Sequence, residues 1–96
     1  MTNNMRPIHP GEILREEIET LGMSARHLAA ALHVPANRIT GILNEQRAIT
    51  ADTSLRLARF FGTTPEFWLN LQTAYELRRT RLKVGERVEK EVQPHV

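Results

Sequence analysis

Between Ser24 and Asn44 two short helical patterns follow one another with almost no chain between them, and this spacing limits the fold more than any other feature of the sequence. Ser24 is a natural N-cap for ARHLAAALH, in which Leu28, Ala29 and Leu32 recur at helical spacing and form an inward stripe. Val34 precedes Pro35, and the proline ring pushes the residue before it out of the α region, so the chain must turn there. The first helix of the pair therefore ends near Leu32, and the second begins at Pro35 or Ala36. A connection this short is that of a helix-turn-helix. His33 is expected to take the left-handed conformation that closes the first helix, a position that favours glycine and tolerates His better than a branched residue.

The flanking segments extend the helical reading. In IHPGEILREEIETLG, Pro10 suits the first helical position, Glu12 the place of a capping-box acid, and Ile8 and Ile13 have the spacing of a hydrophobic staple. Ile13, Leu14, Ile18 and Leu21 give that helix an apolar face, with Gly22 as its stop. After a loop around Glu45 to Ile49, Thr50 caps a fourth helix, ADTSLRLARFFG, expected to bury Leu55, Ala58 and Phe61 or their neighbours. Thr64 caps a fifth, PEFWLNLQTAYELRRTRL, with Pro65 at its first position. No period-2 alternation is long enough for a strand. A length of 96 residues supports one modest core. The expectation is an all-α, five-helix domain over 10–83, preceded by an arm over 1–9. In the tail over 84–96, Val84, Val88 and Val92 lie four apart, which leaves open a frayed helix, a partner-binding arm and a disordered segment.

At about 100° per residue along the second helix of the pair, Ile39, Ile42 and Leu43 share the inward side. Asn37, Thr40, Gly41 and Asn44 lie opposite, with Arg38 on the flank. Asparagine can pair with adenine and arginine with guanine in the major groove, and the start of a recognition helix is where base edges are met. Glycine inside a helix costs roughly 1 kcal/mol against alanine. At Gly41 the expected return is a bare backbone that approaches the groove wall or a thymine methyl. For an isolated helix an ordinary solvated face would be the plainer reading. The helix pair, the small Ala29 at its crossing, and the flanking Arg26, Arg38 and Arg47 shift the balance to double-stranded DNA. Charge agrees: Glu12, Glu16, Glu17 and Glu19 outweigh Arg6 and Arg15 at the start, whereas Arg26, Arg38 and Arg47 face only Glu45 in the middle.

Other chemistries find little support. The chain has no cysteine, and His9, His27, His33 and His95 show no metal-ligand spacing. Ser24 and Ser54 lack a nucleophile motif, the glycines form no phosphate loop, and HExxH is absent. Glu16 and Glu17 are adjacent in a helix, so their carboxylates diverge. No enzyme activity, metal or cofactor is expected. No apolar run approaches a membrane span and MTNNMRPIHP lacks the apolar stretch of a secretory signal, so a cytoplasmic protein is expected.

RPIHPGEILREE, followed by LAAALHVPANRITGILNEQRAITADTSLRLARFFGTTPEFWLNLQ, resembles the HigA (VapI-type) antitoxins of the lambda-repressor-like, Xre-type helix-turn-helix class, from about Met5 to Tyr75. PGEIL joined to ITADT and PEFWLNLQ makes the likeness more specific than the helix pair alone. The resemblance implies a homodimer that binds an operator palindrome, represses its own operon and neutralises a HigB-like, RelE-like toxin that cleaves mRNA on the ribosome. It implies base contacts from Ala36, Asn37, Arg38 and Thr40, with Gly41 close by. Phosphate contacts would come from Ala25 and Arg26 at the start of the first helix of the pair, and from Asn44 and Arg47. Ala25 departs from the Gln that many relatives of the wider class use to grip a phosphate, and His33 from their frequent Gly. Phe67, Trp68, Leu71 and Tyr75 are the expected dimer surface, shared in part with the core. Arg78, Arg79, Arg81 and Lys83 are expected to complement the negative end of the fifth helix, with contact to DNA as the alternative. The acidic first helix and the C-terminal arm are the two candidates for toxin contact. A stand-alone Xre-type regulator without a toxin, and a protein-binding adaptor that has lost DNA contact, are the competing readings.

Overall fold

Side-chain caps decide where most of the helices begin. Ser24 Oγ accepts from the His27 backbone N–H at 3.0 Å, Thr50 Oγ1 from Thr53 at 3.3 Å, and Thr64 Oγ1 from Phe67 at 3.2 Å. Each satisfies a donor that the first helical turn leaves without a partner. The computed structural model, which describes residues 6–95, places helices at α1 (Pro10–Thr20), α2 (Ala25–Leu32), α3 (Ala36–Leu43), α4 (Ala51–Phe61) and α5 (Pro65–Glu91). Residues 1–5 of the expected arm, and Val96, lie outside the described residues. Among those described there is no strand, and no helix is long and apolar enough to cross a membrane.

α1 starts differently from the expectation. His9 is its N-cap, and the imidazole Nδ1 accepts from the Gly11 backbone N–H at 2.9 Å, ahead of Pro10 at the first helical position. The Glu12 carboxylate is engaged with Arg6 in a two-pronged pair at 2.6 and 2.7 Å. His9 is buried and its ring meets Tyr75 of α5 edge-on, centroids 4.8 Å apart. In the first turn, Gly11 lies so close to the Ile42 carbonyl that a Cβ there would collide with the backbone of α3.

The core gathers Leu14 and Ile18 of α1, Leu28, Ala29 and Leu32 of α2, and Ile39, Ile42 and Leu43 of α3, with Ile49, Leu57, Ala58 and Trp68. Each large apolar side chain removed from water stabilises the fold by about 1.5 to 3 kcal/mol before entropy is set against it. Two expected core residues lie elsewhere. Leu21, the C-cap of α1, is exposed, and Leu55 is 60% exposed. The inward stripe of α4 runs through Ser54, Leu57 and Ala58, with Phe61 half-buried one turn on; a residue one step from Ser54 is turned about 100° off it.

α5 sets aside a disordered segment directly after Lys83 and leaves the partner-binding arm open. It continues unbroken to Glu91, so 84–91 is helix. At 27 residues it is roughly 40 Å long, and the molecule measures 51 × 24 × 24 Å. Its buried residues, Trp68 and Gln72, are both in the first turns, so the second half projects from the core.

Candidate nucleic-acid interface

The helix pair takes the expected geometry. His33 closes α2 at φ 59°, ψ 47°, and its N–H reaches back to Ala30. Ile39, Ile42 and Leu43 fix the inward side of α3, which leaves Ala36, Asn37, Thr40 and Asn44 exposed on the other. α3 ends with Glu45 in a left-handed conformation at φ 61°, where Gln46 N–H returns to the Gly41 carbonyl at 2.9 Å. This turn brings the following residues back along the helix.

Gly41 is where the returning chain lands. A Cβ built at this position would meet Arg47 Cβ at 3.3 Å, slightly tighter than ordinary contact, and Arg47 Cδ at 3.5 Å, in ordinary contact. The missing side chain therefore leaves room for the Arg47 stem to lie beside α3. The space beside Gly41, where a bare backbone was expected to approach a groove wall, is thus taken by the stem of Arg47, which is itself exposed.

Arg38 is also placed by a partner. Its Nη1 donates to Asp52 Oδ2 at 2.6 Å, and Arg56 Nε donates to the same oxygen at 3.0 Å. Arg56 reaches on to the Leu32 carbonyl at 2.9 Å, so one linked set of groups spans the end of α2, the start of α3 and the first turn of α4. Hydrogen bonds from Arg56 and Arg38 hold the Asp52 carboxyl below its usual range. Neither Asp52 nor Arg56 was singled out in the sequence; the acid in the first turn after the Thr50 cap was the available signal.

The two positions expected to contact phosphate at the start of α2 differ in exposure. Arg26 is exposed in the first turn of α2, whereas the Ala25 side chain packs against the core. Ala25 can therefore offer a phosphate only the backbone N–H at the helix start, where the dipole favours an anion. Behind the site, buried Gln72 accepts from the Ile49 N–H at 2.9 Å and donates to Glu76 at 2.7 Å, which anchors the loop after α3 to α5. Arg15 Nη2 donates to the Leu43 carbonyl at 3.3 Å at the end of α3. Sequence reasoning missed both.

The expected dimer residues are scattered by burial. Trp68 is 1% exposed and donates through Nε1 to Thr63 Oγ1 at 2.9 Å, so it belongs to the core and is withdrawn from the dimer surface. Phe67 is exposed and stacks edge-on against Trp68. Leu71 packs on the core, and Tyr75 is half-buried against His9. Leu71 and Tyr75 also line an open groove with Ile8, Ile13 and Ala74. Among the described residues no group of three His, Cys, Asp or Glu could hold a metal.

Comparison with known proteins supplies the lineage. A helix-turn-helix family model matches residues 14–68. Virulence-associated protein I of Dichelobacter nodosus is 60% identical over 77 residues, 79% of this chain and 71% of the relative. The structure of a HigA-family addiction module antidote protein from Coxiella burnetii superposes with a TM-score of 0.93 at 63% identity, over 95% of this chain and all of that one. Pseudomonas aeruginosa antitoxin HigA, solved with the higBA promoter, superposes at 0.91 with 44% identity, again over 95% of this chain and all of that one. With superposition over nearly the whole chain at this degree of identity, the chain belongs to the HigA family of helix-turn-helix antitoxins.

Proposed function

We propose that this chain is the antitoxin of a toxin-antitoxin pair, acting as a dimer that binds an operator palindrome and represses its own operon. The observation that carries the reading is the exposed face of α3. Ala36, Asn37, Thr40 and Asn44 are free of the core, Arg38 is held by Asp52, the Arg47 stem lies beside Gly41, and the fold is that of a relative solved with promoter DNA. Asn37 and Arg38 are the base readers, with Ala36 and Thr40 making the close contacts beside them. Arg26, Asn44, Arg47 and the backbone at Ala25 take phosphates.

A single α3 offers few base contacts, and two copies reading half-sites about one helical turn apart multiply the discrimination. The α5 face supports a second copy as its occupant. Leu77, Val84 and Val88 recur at seven and four residues on the side away from Trp68, and Leu77 and Val88 are each 48% exposed. A helix that projects from its core gains stability when a partner packs on its apolar stripe. Phe67 and the groove of Leu71 and Tyr75 add apolar surface to the same helix.

Neutralisation of a basic, RelE-like toxin completes the reading. Glu16, Glu17 and Glu19 of α1 are all exposed and suit a basic partner. A gel shift with the DNA upstream of its own gene tests the central part: retarded complexes that resist scrambled competitor are expected, and no specific shift would reject it. Co-purification with the product of the neighbouring gene tests the toxin partner.

A further inference from the structure

Asp52 is an acid placed at the edge of a surface meant for a polyanion, which calls for a reason. It is exposed, so the fold does not need it for packing, and it points two arginines at one carboxylate oxygen. We propose that Asp52 is a specificity-determining residue, which converts Arg38 from a general phosphate anchor into a reader of a base edge. The inference rests on the DNA-binding reading above.

Three features of the geometry carry it. First, the bond from Arg38 to Asp52 uses Nη1 at 2.6 Å, which leaves the Nε and Nη2 edge of the planar fork for a second acceptor. A fork fixed at one end and open at the other matches the O6 and N7 pair of guanine in its two-point geometry. Second, the carboxylate cancels the charge of Arg38 at close range, so a passing phosphate is attracted less to this side chain than to Arg26 or Arg47. Third, Arg56 pins the carboxylate at 3.0 Å while donating to the Leu32 carbonyl, so the support is tied to the helix corner and cannot swing away with Arg38. Phosphate attraction raises affinity for every duplex alike, whereas an oriented fork rewards one base pair.

The test compares Asp52→Asn with the wild-type chain by fluorescence anisotropy over a salt series. The probes are a duplex selected by the wild-type chain from a random pool and a scrambled duplex of equal composition. The variant should bind scrambled DNA about five- to tenfold more tightly, with a salt dependence steeper by about 0.9 in log-log slope. Its preference for the selected duplex should fall about tenfold. Asp52→Ser, which removes the charge with a different side chain, should show the same shifts, and circular dichroism should show helix content retained. In an Arg38→Ala background the loss of preference should vanish. Unchanged preference and slope in both variants would overturn the inference, as would a loss that persists without Arg38. If the wild-type chain itself prefers no duplex, the DNA-binding reading fails and this inference with it.

Discussion

The stem of Arg47 lies across the backbone of Gly41, so that a methyl group at Gly41 would meet Arg47 Cβ at 3.3 Å. The relation ties the glycine in the middle of α3 to the loop that follows the helix. Gly41 thereby serves the interface through its neighbour.

Substituting Gly41 by Leu should leave the fold in place, since a helical glycine replaced by leucine gains intrinsic propensity of roughly 0.8 kcal/mol, but should drive Arg47 off the α3 face and fill the docking surface. Thermal melting should stay near wild type while operator binding is lost. Arg47→Ala is the milder probe. It should weaken selected and scrambled duplexes alike and flatten the salt dependence by about one unit of slope. Tight operator binding by Gly41→Leu would show that this surface does not dock.

Asn37→Ala should act on sequence preference. An exposed amide in the first turn of α3 that pairs with a base is worth about 1 to 3 kcal/mol in specific binding. Affinity for the selected duplex should fall by that amount with little change for scrambled DNA, measured side by side in the same buffer.

Gly11 should prove more demanding for folding than Gly41. Its missing Cβ faces the Ile42 carbonyl, and a backbone group in a helix cannot rotate aside as an arginine stem can. Gly11→Ala should therefore destabilise the protein by about 1 to 3 kcal/mol, the range for overpacking. Urea denaturation checks this; an unchanged midpoint would mean that α1 slides past α3 without cost.

His9 gives the fold a pH dependence. Burial lowers its pKa, against opposing pulls from Glu45 and Glu12, and Nδ1 must be unprotonated to accept from Gly11. The unfolded chain takes up the proton at about pH 6.5 and the folded chain only below that. Unfolded protein thus binds more protons in between, and stability rises with pH there. The contribution is complete above about 6.5 and is lost as pH falls through the folded value. His9→Asn keeps a capping acceptor that does not titrate, so its urea midpoint should vary less between pH 7.5 and 5.5 than the wild-type midpoint. Equal variation would assign the dependence to other groups.

The apolar stripe of α5 should govern assembly. Leu77→Glu with Val88→Glu should leave the core intact, since neither side chain reaches it, and should yield monomers in sedimentation velocity. Trp68→Ala, by contrast, should cost about 3 to 5 kcal/mol of folding stability.

What the sequence made legible follows from local chemistry. Ser24, Thr50 and Thr64 announce helix starts because capping needs only a hydroxyl and the next turn, and the Val34-Pro35 step forces a corner on steric grounds. The α3 inward set of Ile39, Ile42 and Leu43 follows from helical period alone. Relations between distant segments were not legible. Gly11 against Ile42, Gln72 on Ile49 and Asp52 on Arg38 depend on how helices cross, and no periodicity encodes that. Trp68 illustrates the same limit: the face of α5 that meets α4 is set by the contact of Phe61 with the indole, which helical period does not encode.

Hydroxyl-radical footprinting on the DNA upstream of the gene tests the central claim most directly, that two copies of the α3 face enter one duplex together. The account predicts two protected patches on one side of the helix, centred about 10 base pairs apart or a multiple of that, and related by a palindrome. A single unpaired patch, or uniform protection without a palindrome, would contradict it.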